Sequence, residues 1–214
     1  MRTLKTNMMK ATLLIALAAG QGTCPAQLSY DASYTGSSMV IPEGDPVGIT
    51  FGDTVSSADI PADNTVVDLT VSLNISGGYN ADMVAYLESP NGTEITLLDR
   101  PGLAGGNPFG NQGADFNVTL SDAAAGGITA ATGTPGQVVT GTYDAVGSLS
   151  AVDGSGADGT WTLFLANLGT GSGSPTLNSF SLNLTVVPEP VNVALPAFGT
   201  LLALLRVVRR RKIS

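Results

Sequence analysis

Carboxylates on glycine-rich turns are the residues of this sequence whose type and spacing could do chemistry. Asp153 and Asp158 lie on the turn "DGSGADG" just before a predicted strand, and Asp82 opens another strand. Calcium prefers several oxygen ligands from carboxylates and carbonyls on flexible turns. Asp82, Asp153 and Asp158 are therefore candidate calcium ligands, although the turn lacks the ligand spacing and the terminal Glu of an EF-hand. The alternative is that each Asp accepts hydrogen bonds from nearby backbone groups.

Other chemistries lack the residues that they need. The 214 residues contain no His, which removes the base of a Ser-His-Asp triad and the His ligands of zinc and iron sites. The acidic residues leave a pair of catalytic carboxylates open, but their spacing singles out no two of them. The glycines form no phosphate-binding loop between a strand and a helix. We predict no catalytic residues, no enzymatic activity and no cofactor other than calcium.

The basic residues are confined almost entirely to the two ends of the sequence. Residues 27–187 keep one basic side chain, Arg100, and 16 acidic ones, which gives this body a net charge of −15. Such a surface repels nucleic acid and anionic lipid. We therefore expect a soluble exported body with no nucleic-acid partner, in which Arg100 pairs with a nearby carboxylate.

The first 26 residues have the pattern of a secretory signal peptide. Arg2, Lys5 and Lys10 precede the apolar run "ATLLIALAAG", and small residues before Gln27 predict cleavage after Ala26. Lipid attachment at Cys24 is the alternative, but "QGT" matches poorly the small apolar residues that lipoprotein processing prefers. Cleavage at Ala26 would leave a mature protein without cysteine, and hence without disulfides.

The last residues combine a short motif, a brief apolar stretch and a basic cluster. Residues 191–205 are shorter than the roughly 20 residues of a comfortable helical span, and extension to residue 208 makes a marginal one. The cluster that follows predicts a cytoplasmic C-terminus with the body outside. We expect a short hydrophobic helix that inserts transiently into the membrane through 191–208.

These features resemble a PEP-CTERM sorting signal over residues 188–214. The resemblance rests on Pro188-Glu189-Pro190, the apolar stretch and the arginines Arg209, Arg210 and Arg211. It implies a Gram-negative bacterium and processing by an exosortase-type membrane protease as partner. It also implies delivery to the cell envelope, the cell surface or the extracellular (biofilm) matrix. An ordinary single-span anchor with a chance "PEP" is the alternative.

Alternation of apolar and polar residues is the main structural signal of the body. In "VDLTVSLNI" it places Val67, Leu69, Val71, Leu73 and Ile75 on a buried face, and "FSLNLTV" does the same with Phe180, Leu182, Leu184 and Val186. "TWTLFLAN" and "MVAYLES" are more apolar and predict strands covered on both faces, with Trp161 in the core. Further predicted strands are "GITFGDTV", "TEITLL", "DFNVTL" and "QVVTGTYDA". About eight short strands with Gly- and Pro-rich turns predict an all-β protein, an antiparallel sandwich or jelly roll.

One stretch, "MVAYLESPNGTEITLL", predicts a hairpin turning at Pro90-Asn91-Gly92.

The body resembles the P domain (Homo B domain) of subtilisin-like proprotein convertases. The resemblance rests on three stretches: "DMVAYLESPNGTEITLLDRPG", "TGTYDAVGSLSAVDGSGADGTWTLFLAN" and "PTLNSFSLNL". The resemblance covers residues 41–187, preceded by a linker or edge strand over 27–40. It implies a jelly-roll β-sandwich, which in the convertases accompanies a protease domain, and no protease domain is present in these residues.

Three functions compete on this sequence. The first is a non-catalytic surface or matrix protein whose P-like sandwich is an interaction or stabilising module. The second is a carbohydrate-binding module, for which exposed clustered aromatics are the expected feature; only 6% of the residues are aromatic and the sequence shows no cluster. The third is an accessory partner of a separately encoded subtilisin-like protease. We favour the first, with a protein or polysaccharide partner at the surface.

Overall fold

The alternating strands of the body form two packed β-sheets. A computed structural model describes residues 27–34, 38–56, 60, 64–103, 109–131 and 133–188. The predicted signal helix over 1–26, the C-terminal hydrophobic helix, Glu189, Pro190 and the terminal arginines lie outside the described residues. Among those described, no helix has the length and hydrophobicity that crossing a bilayer requires.

All eight predicted strands are present, and two more come from the segment before them. The additional strands are β1 and β2, and β1 pairs along its whole length with the last strand at the edge of a sheet. Three short 3-10 helices lie in the connections, at Asn80–Asp82, Ile128–Ala130 and Leu149–Val152. The strands are β1 (Leu28–Tyr34), β2 (Met39–Val40), β3 (Asp45–Val55), β4 (Asn64–Ser76), β5 (Met83–Glu88), β6 (Glu94–Asp99), β7 (Asp115–Leu120), β8 (Val138–Tyr143), β9 (Gly159–Asn167) and β10 (Thr176–Pro188).

The two sheets confirm the all-β sandwich. The larger sheet has the order β1-β10-β4-β7-β8, with β2 also paired to β10, and the smaller has the order β3-β9-β5-β6. Every pair is antiparallel except β7 and β8, which run parallel. A parallel neighbour needs a long crossover connection, and residues 121–137 supply it.

The faces that the alternation predicted do meet in the core. Leu69, Val71, Leu73 and Ile75 of β4 and the four apolar residues of β10 are buried. Trp161 is fully buried, as predicted, and its indole N–H donates to the carbonyl of Ala157 at 3.0 Å. This bond satisfies the polar atom that a buried Trp brings into a core.

The prediction for Val67 was wrong. Val66 is fully buried whereas Val67 is half-buried. The reason is a shift in the register of β4 against β10. Val66 lies opposite Val186 and Asp68 lies opposite Thr185, so Val67 has no partner on β10. A β-bulge places one additional residue on one strand and reverses the facing of the residues beyond it. Strict alternation cannot reveal such an insertion.

The prediction that β5 and β9 are covered on both faces was right only at the Arg100 end, where Val84 and Ala166 of the outer face are buried; farther along the strands it was wrong. In β9 Trp161, Leu163 and Leu165 are buried, while Thr162 and Phe164 between them are half-buried. Phe164 lies on the outer face of the smaller sheet against Tyr86 of β5, with ring centroids 5.8 Å apart. An aromatic pair covers this part of the face without a further layer of structure.

The hairpin β5–β6 turns where the sequence predicted. Gly92 has φ +82° and its N–H donates to the carbonyl of Ser89 at 2.9 Å. Pro90 and Asn91 occupy the two central turn positions with negative φ, and glycine supplies the left-handed conformation that follows them.

The strand register defines two opposite ends of the sandwich. β10 begins at Thr176, opposite Ser76, and near its other end Val186 lies opposite Leu28 of β1. Its 13 residues span roughly 40 Å. We call the end where residues 27 and 188 lie the terminal end. We call the other the Arg100 end, which carries the loop residues 77–82, 100–103, 109–114 and 168–175.

Substitution of the two adjacent valines tests the bulge. Val66→Ala should lower the free energy of unfolding by about 2 kcal/mol, because it leaves a cavity in the core. Val67→Ala, at the half-buried position, should lower it by less than about 1 kcal/mol. Urea denaturation of both variants measures the difference. Equal losses, or a larger loss for Val67→Ala, would contradict the register described here.

Candidate functional site

Two shallow depressions meet at the Arg100 end. One has a volume of about 200 Å³, and its walls come from the β4–β5, β6–β7 and β9–β10 connections; they are formed by Tyr79, Ala81, Asp82, Arg100, Leu103, Phe109, Gln112, Gly169 and Thr170. The second, of about 320 Å³, is lined by Asp99, Arg100, Gly102, Leu103 and Thr129. Arg100 and Leu103 belong to both. The Arg100 side chain therefore borders both spaces.

Arg100 is held in an unusual backbone conformation. It follows β6 directly with φ +46°, the one positive φ at a non-glycine among the described residues. Its N–H donates to the carbonyl of Met83 at 2.9 Å, and its Nε donates to the carbonyl of Ala81 at 3.3 Å. The left-handed region is strained for a residue with a Cβ, and such strain is often found at functional sites. We predicted a carboxylate partner for Arg100, but the Nε of Arg100 donates to a backbone carbonyl instead.

Asp82 lies in the wall of the same depression as Arg100. It ends the 3-10 helix Asn80–Asp82, and its backbone carbonyl accepts from Leu168 N at 2.8 Å. One carboxylate oxygen accepts from the hydroxyl of Ser172 at 3.3 Å. Gly169 packs so closely on this carboxylate that a Cβ there would overlap it. Through these hydrogen bonds Asp82 joins the β9–β10 loop to the start of β5, and calcium binding by Asp82 stays a prediction.

Apolar side chains gather at the Arg100 end from loops distant in sequence. Phe109 is 69% exposed, Tyr79 43% and Leu168 40%. Tyr79 and Phe109 line the same depression as Arg100. The sequence did not predict that these two rings line one depression, because they lie on different loops with two strands between them.

Three buried asparagines fix the loops around the depressions. Asn111 is 1% exposed; its side-chain amide donates to the carbonyl of Ala131 at 3.0 Å and its side-chain oxygen accepts from Gly113 N at 2.8 Å. Its backbone N–H donates to Pro101 O and its backbone carbonyl accepts from Ala81 N, each at 2.9 Å. Asn111 thus connects three loops through four hydrogen bonds, a role that its place in "GGNPFGNQG" did not reveal.

Asn80 and Asn167 have the same role on either side. The side chain of Asn80 donates to the carbonyl of Asp115 at 3.0 Å. The side chain of Asn167 donates to Gly173 O at 3.3 Å and accepts from Gly169 N at 3.1 Å. Both residues are fully buried. Buried amides with satisfied partners make loops rigid, so the Arg100 end is a preformed surface.

The other two predicted calcium ligands lie at the terminal end. Asp158 precedes β9 and Asp82 precedes β5; because β5 and β9 are antiparallel, with Met83 opposite Asn167 and Glu88 opposite Thr162, the starts of these strands are at opposite ends. Asp82 and Asp158 therefore cannot bind the same ion. Within the described part of the chain, no group of three carboxylates could hold a metal ion. Calcium binding by Asp153 and Asp158 stays a prediction.

Asp122 organises the terminal end as a hydrogen-bond acceptor. Its carboxylate accepts from the Ser148 hydroxyl at 2.7 Å and from the backbone N–H groups of Leu149 and Ser150 at 2.8 Å each. Burial by itself would raise the pKa of Asp122, but these hydrogen bonds outweigh it and the pKa lies below its usual value. Burial, and then the charges of Asp68 and Asp122, raise the pKa of Asp153.

Comparison with known families identifies the sandwich. The family model of the proprotein convertase P-domain matches residues 66–184, more than half of the chain. The chain belongs to the proprotein convertase P-domain family. The resemblance of residues 41–187 to the P domain is thereby confirmed. In the convertases the P domain is a non-catalytic domain.

Two solved structures of Aeromonas sobria proteins are similar to this P-domain chain. The complex of the serine protease and the chaperone matches with a TM-score of 0.47 and 17% identity over 77% of this chain and 27% of that chain. The serine protease matches with a TM-score of 0.44 and 16% identity over 75% and 27%. The present chain thus covers about a quarter of the length of either chain. A search of curated proteins finds no match.

The matched span of the P domain includes every residue that lines the two depressions. Sequence reasoning singled out Asp82 and Arg100 there but missed Tyr79, Phe109 and the buried asparagines. The signal that could have found Asn111 is its position between Gly110 and Gly113: a Cβ on Gly113 would lie 3.0 Å from the Asn111 side-chain oxygen.

Removal of the Asn111 side chain tests whether the loops depend on it. Asn111→Ala should lower the free energy of unfolding by roughly 2 to 4 kcal/mol, because two buried backbone groups lose their partners. Asn117→Ala, at an exposed position of β7, is the matched control and should change it by less than about 0.5 kcal/mol. Chemical denaturation compares them, and equal losses would contradict the role assigned to Asn111.

Asp122 and Asp153 should affect stability with opposite signs. A carboxylate with a lowered pKa stabilises the fold above its unfolded pKa, and that contribution is lost as the pH falls below about 4. Asp122→Asn should therefore cost about 1 kcal/mol at pH 7, as for the loss of a helix cap, and less in acid. Asp153→Asn should stabilise at pH 7, a gain that disappears as the pH falls through the raised pKa. Urea unfolding from pH 7 to pH 3 measures both, and the same sign for both variants would contradict this account.

Proposed function

We propose that this protein is an exported, non-catalytic interaction or stabilising module. Its P domain would act at the cell envelope, at the cell surface or in the extracellular matrix of a Gram-negative bacterium. The observation that carries the proposal is that the last described strand, β10, reaches Pro188, the first residue of the predicted sorting motif. A non-catalytic domain whose last described strand leads directly into a predicted sorting signal suits a cargo domain with a removable tail.

The positions of the chain ends support an orientation for the module. Leu28 and Val186 pair at the terminal end, so a membrane-inserted segment after residue 188 would hold that end toward the membrane. The Arg100 end would then face outward at a distance of roughly 40 Å. The net charge of −15 on residues 27–187 keeps such a domain away from anionic lipid.

Three observations support a non-catalytic role. The whole sequence has no His, and the family is that of a non-catalytic domain. Among the described residues, no cluster of carboxylates could hold a catalytic metal. Function therefore falls to contacts made by the surface, and the rigid loops of the Arg100 end are the part best arranged for them.

A second candidate function follows from the family alone. A P domain could serve as the accessory partner of a separately encoded subtilisin-like protease. Co-purification with such an enzyme from the producing cell, together with a loss of protease stability when this protein is absent, would favour the accessory role. An interaction module with no protease partner would show neither result.

Intact-mass measurement of the protein from its producing cell tests export and sorting together. We expect a mature mass that lacks residues 1–26 and the tail after the Pro188-Glu189-Pro190 motif. Joint replacement of Arg209, Arg210 and Arg211 by Gln should leave the tail uncut, because the stop signal is weakened. Arg206→Gln, outside the cluster, is the control. A wild-type mass that retains both ends would contradict the proposal.

A further inference from the structure

Arg100 is the one positive side chain of a strongly negative body. Residues 27–187 contain 16 acidic residues and no other Lys or Arg. A cation in such surroundings could lie anywhere on the surface as a solvated side chain. It lies instead between two depressions, in a strained backbone conformation, with its Nε bonded to the carbonyl of Ala81. A guanidinium fixed at Nε can still receive a carboxylate end-on through its two terminal nitrogens.

The rest of the smaller depression is mostly polar but includes two rings. Asp82, Gln112 and Thr170 contribute a carboxylate, an amide and a hydroxyl, while Tyr79 and Phe109 contribute exposed aromatic surface. Such a lining suits a ligand that has many hydroxyls, a ring with an apolar face, and one negative charge. Hydrogen bonds of Asn80, Asn111 and Asn167 hold the described backbone next to Tyr79, Gln112 and Thr170, which lowers the entropy cost of ordering these side chains around a ligand.

We propose that the depression at Arg100 binds an acidic saccharide, a sugar unit that carries a carboxylate. The carboxylate is received by the guanidinium of Arg100, a sugar face packs on Tyr79 or Phe109, and the hydroxyls hydrogen-bond to Asp82, Gln112 and Thr170. The proposal rests on the proposed function in one respect, since the Arg100 end meets extracellular polymer only if the protein is exported. It names the ligand class for that surface.

Two other anionic ligands fit the depression less well. A polyanion such as nucleic acid needs several cations along its length, whereas this body has one. A peptide whose C-terminal residue is apolar needs an apolar pocket for that side chain beside the site for its carboxylate. The depression supplies five polar side chains and no enclosed apolar cavity, which favours a hydroxyl-rich ligand.

Titration of the full chain, purified in mild detergent, with glucuronoxylobiose, a trisaccharide that carries a single carboxylate, tests the proposal. We expect saturable binding by calorimetry with a dissociation constant below about 1 mM. The fully methyl-esterified trisaccharide, which keeps the rings and hydroxyls but loses the charge, should bind at least tenfold more weakly. This comparison of ligands needs no variant, so it is independent of any effect of mutation on folding.

Variants then assign the contacts. Arg100→Gln should weaken binding of the acid at least tenfold and abolish the preference for the acid over the ester. Phe109→Ala and Tyr79→Ala should weaken both ligands, and Glu88→Gln, at the exposed end of β5 far from Arg100, is the matched control that should leave binding unchanged. Thermal melting of each variant checks that it is folded.

Three outcomes would overturn the proposal: no saturable binding, equal affinity for acid and ester, or tighter binding of an apolar peptide with a free C-terminal carboxylate. None of them bears on export. Conversely, an intact mass that retains both ends would remove the proposed function, while the titration would still report whether the depression binds the sugar acid.

Discussion

The pairing of β4 with β10 is the interaction on which the rest of the sandwich depends. It runs from Ser76 opposite Thr176 to Asn64 opposite Pro188 and is the longest ladder in the described chain. β1 and β2 attach to β10, and β7 attaches to β4, so the larger sheet is built outward from this pair. Both strands turn their apolar residues to the same side, and Phe180 meets Phe51 of the opposite sheet edge-on, with centroids 6.2 Å apart. Burial of that face is the main favourable term for the fold.

The hydrophobic core stabilises the two sheets, whereas hydrogen bonds of polar side chains order the loops. At the Arg100 end these side chains are the buried amides of Asn80, Asn111 and Asn167. At the terminal end it is the carboxylate of Asp122, which accepts three hydrogen bonds. Within the described residues, no buried side-chain nitrogen or oxygen lacks a partner. This matters because a buried polar group without a partner destabilises the fold by as much as several good contacts stabilise it. Loops fixed in this way can hold exposed side chains in constant positions, as a recognition surface requires.

The charge distribution and the positions of residues 27 and 188 distinguish the two ends of the P domain. Nearly all positive charge lies in the terminal segments outside the sandwich, and the sandwich itself is acidic apart from Arg100. The terminal end carries residues 27 and 188, where those segments join the sandwich, whereas the Arg100 end lies at the other end of β10. The family is that of a non-catalytic domain, and the end away from residues 27 and 188 is the surface that the proposed interaction would use.

The strand pattern, the β5–β6 hairpin, the all-β class and the lack of His chemistry could all be read from residue order. Each depends on local periodicity, on turn residues or on composition, and neighbours in sequence carry that information. The bulge at Val67, the partial cover of the outer face of β9 and the parallel β7–β8 pair could not, because they depend on which strand lies beside which and in what register. The meeting of Tyr79, Arg100 and Phe109 is of the same kind. Those residues come from separate loops, and they become neighbours only because sheet order and strand direction bring those loops to one end of the molecule.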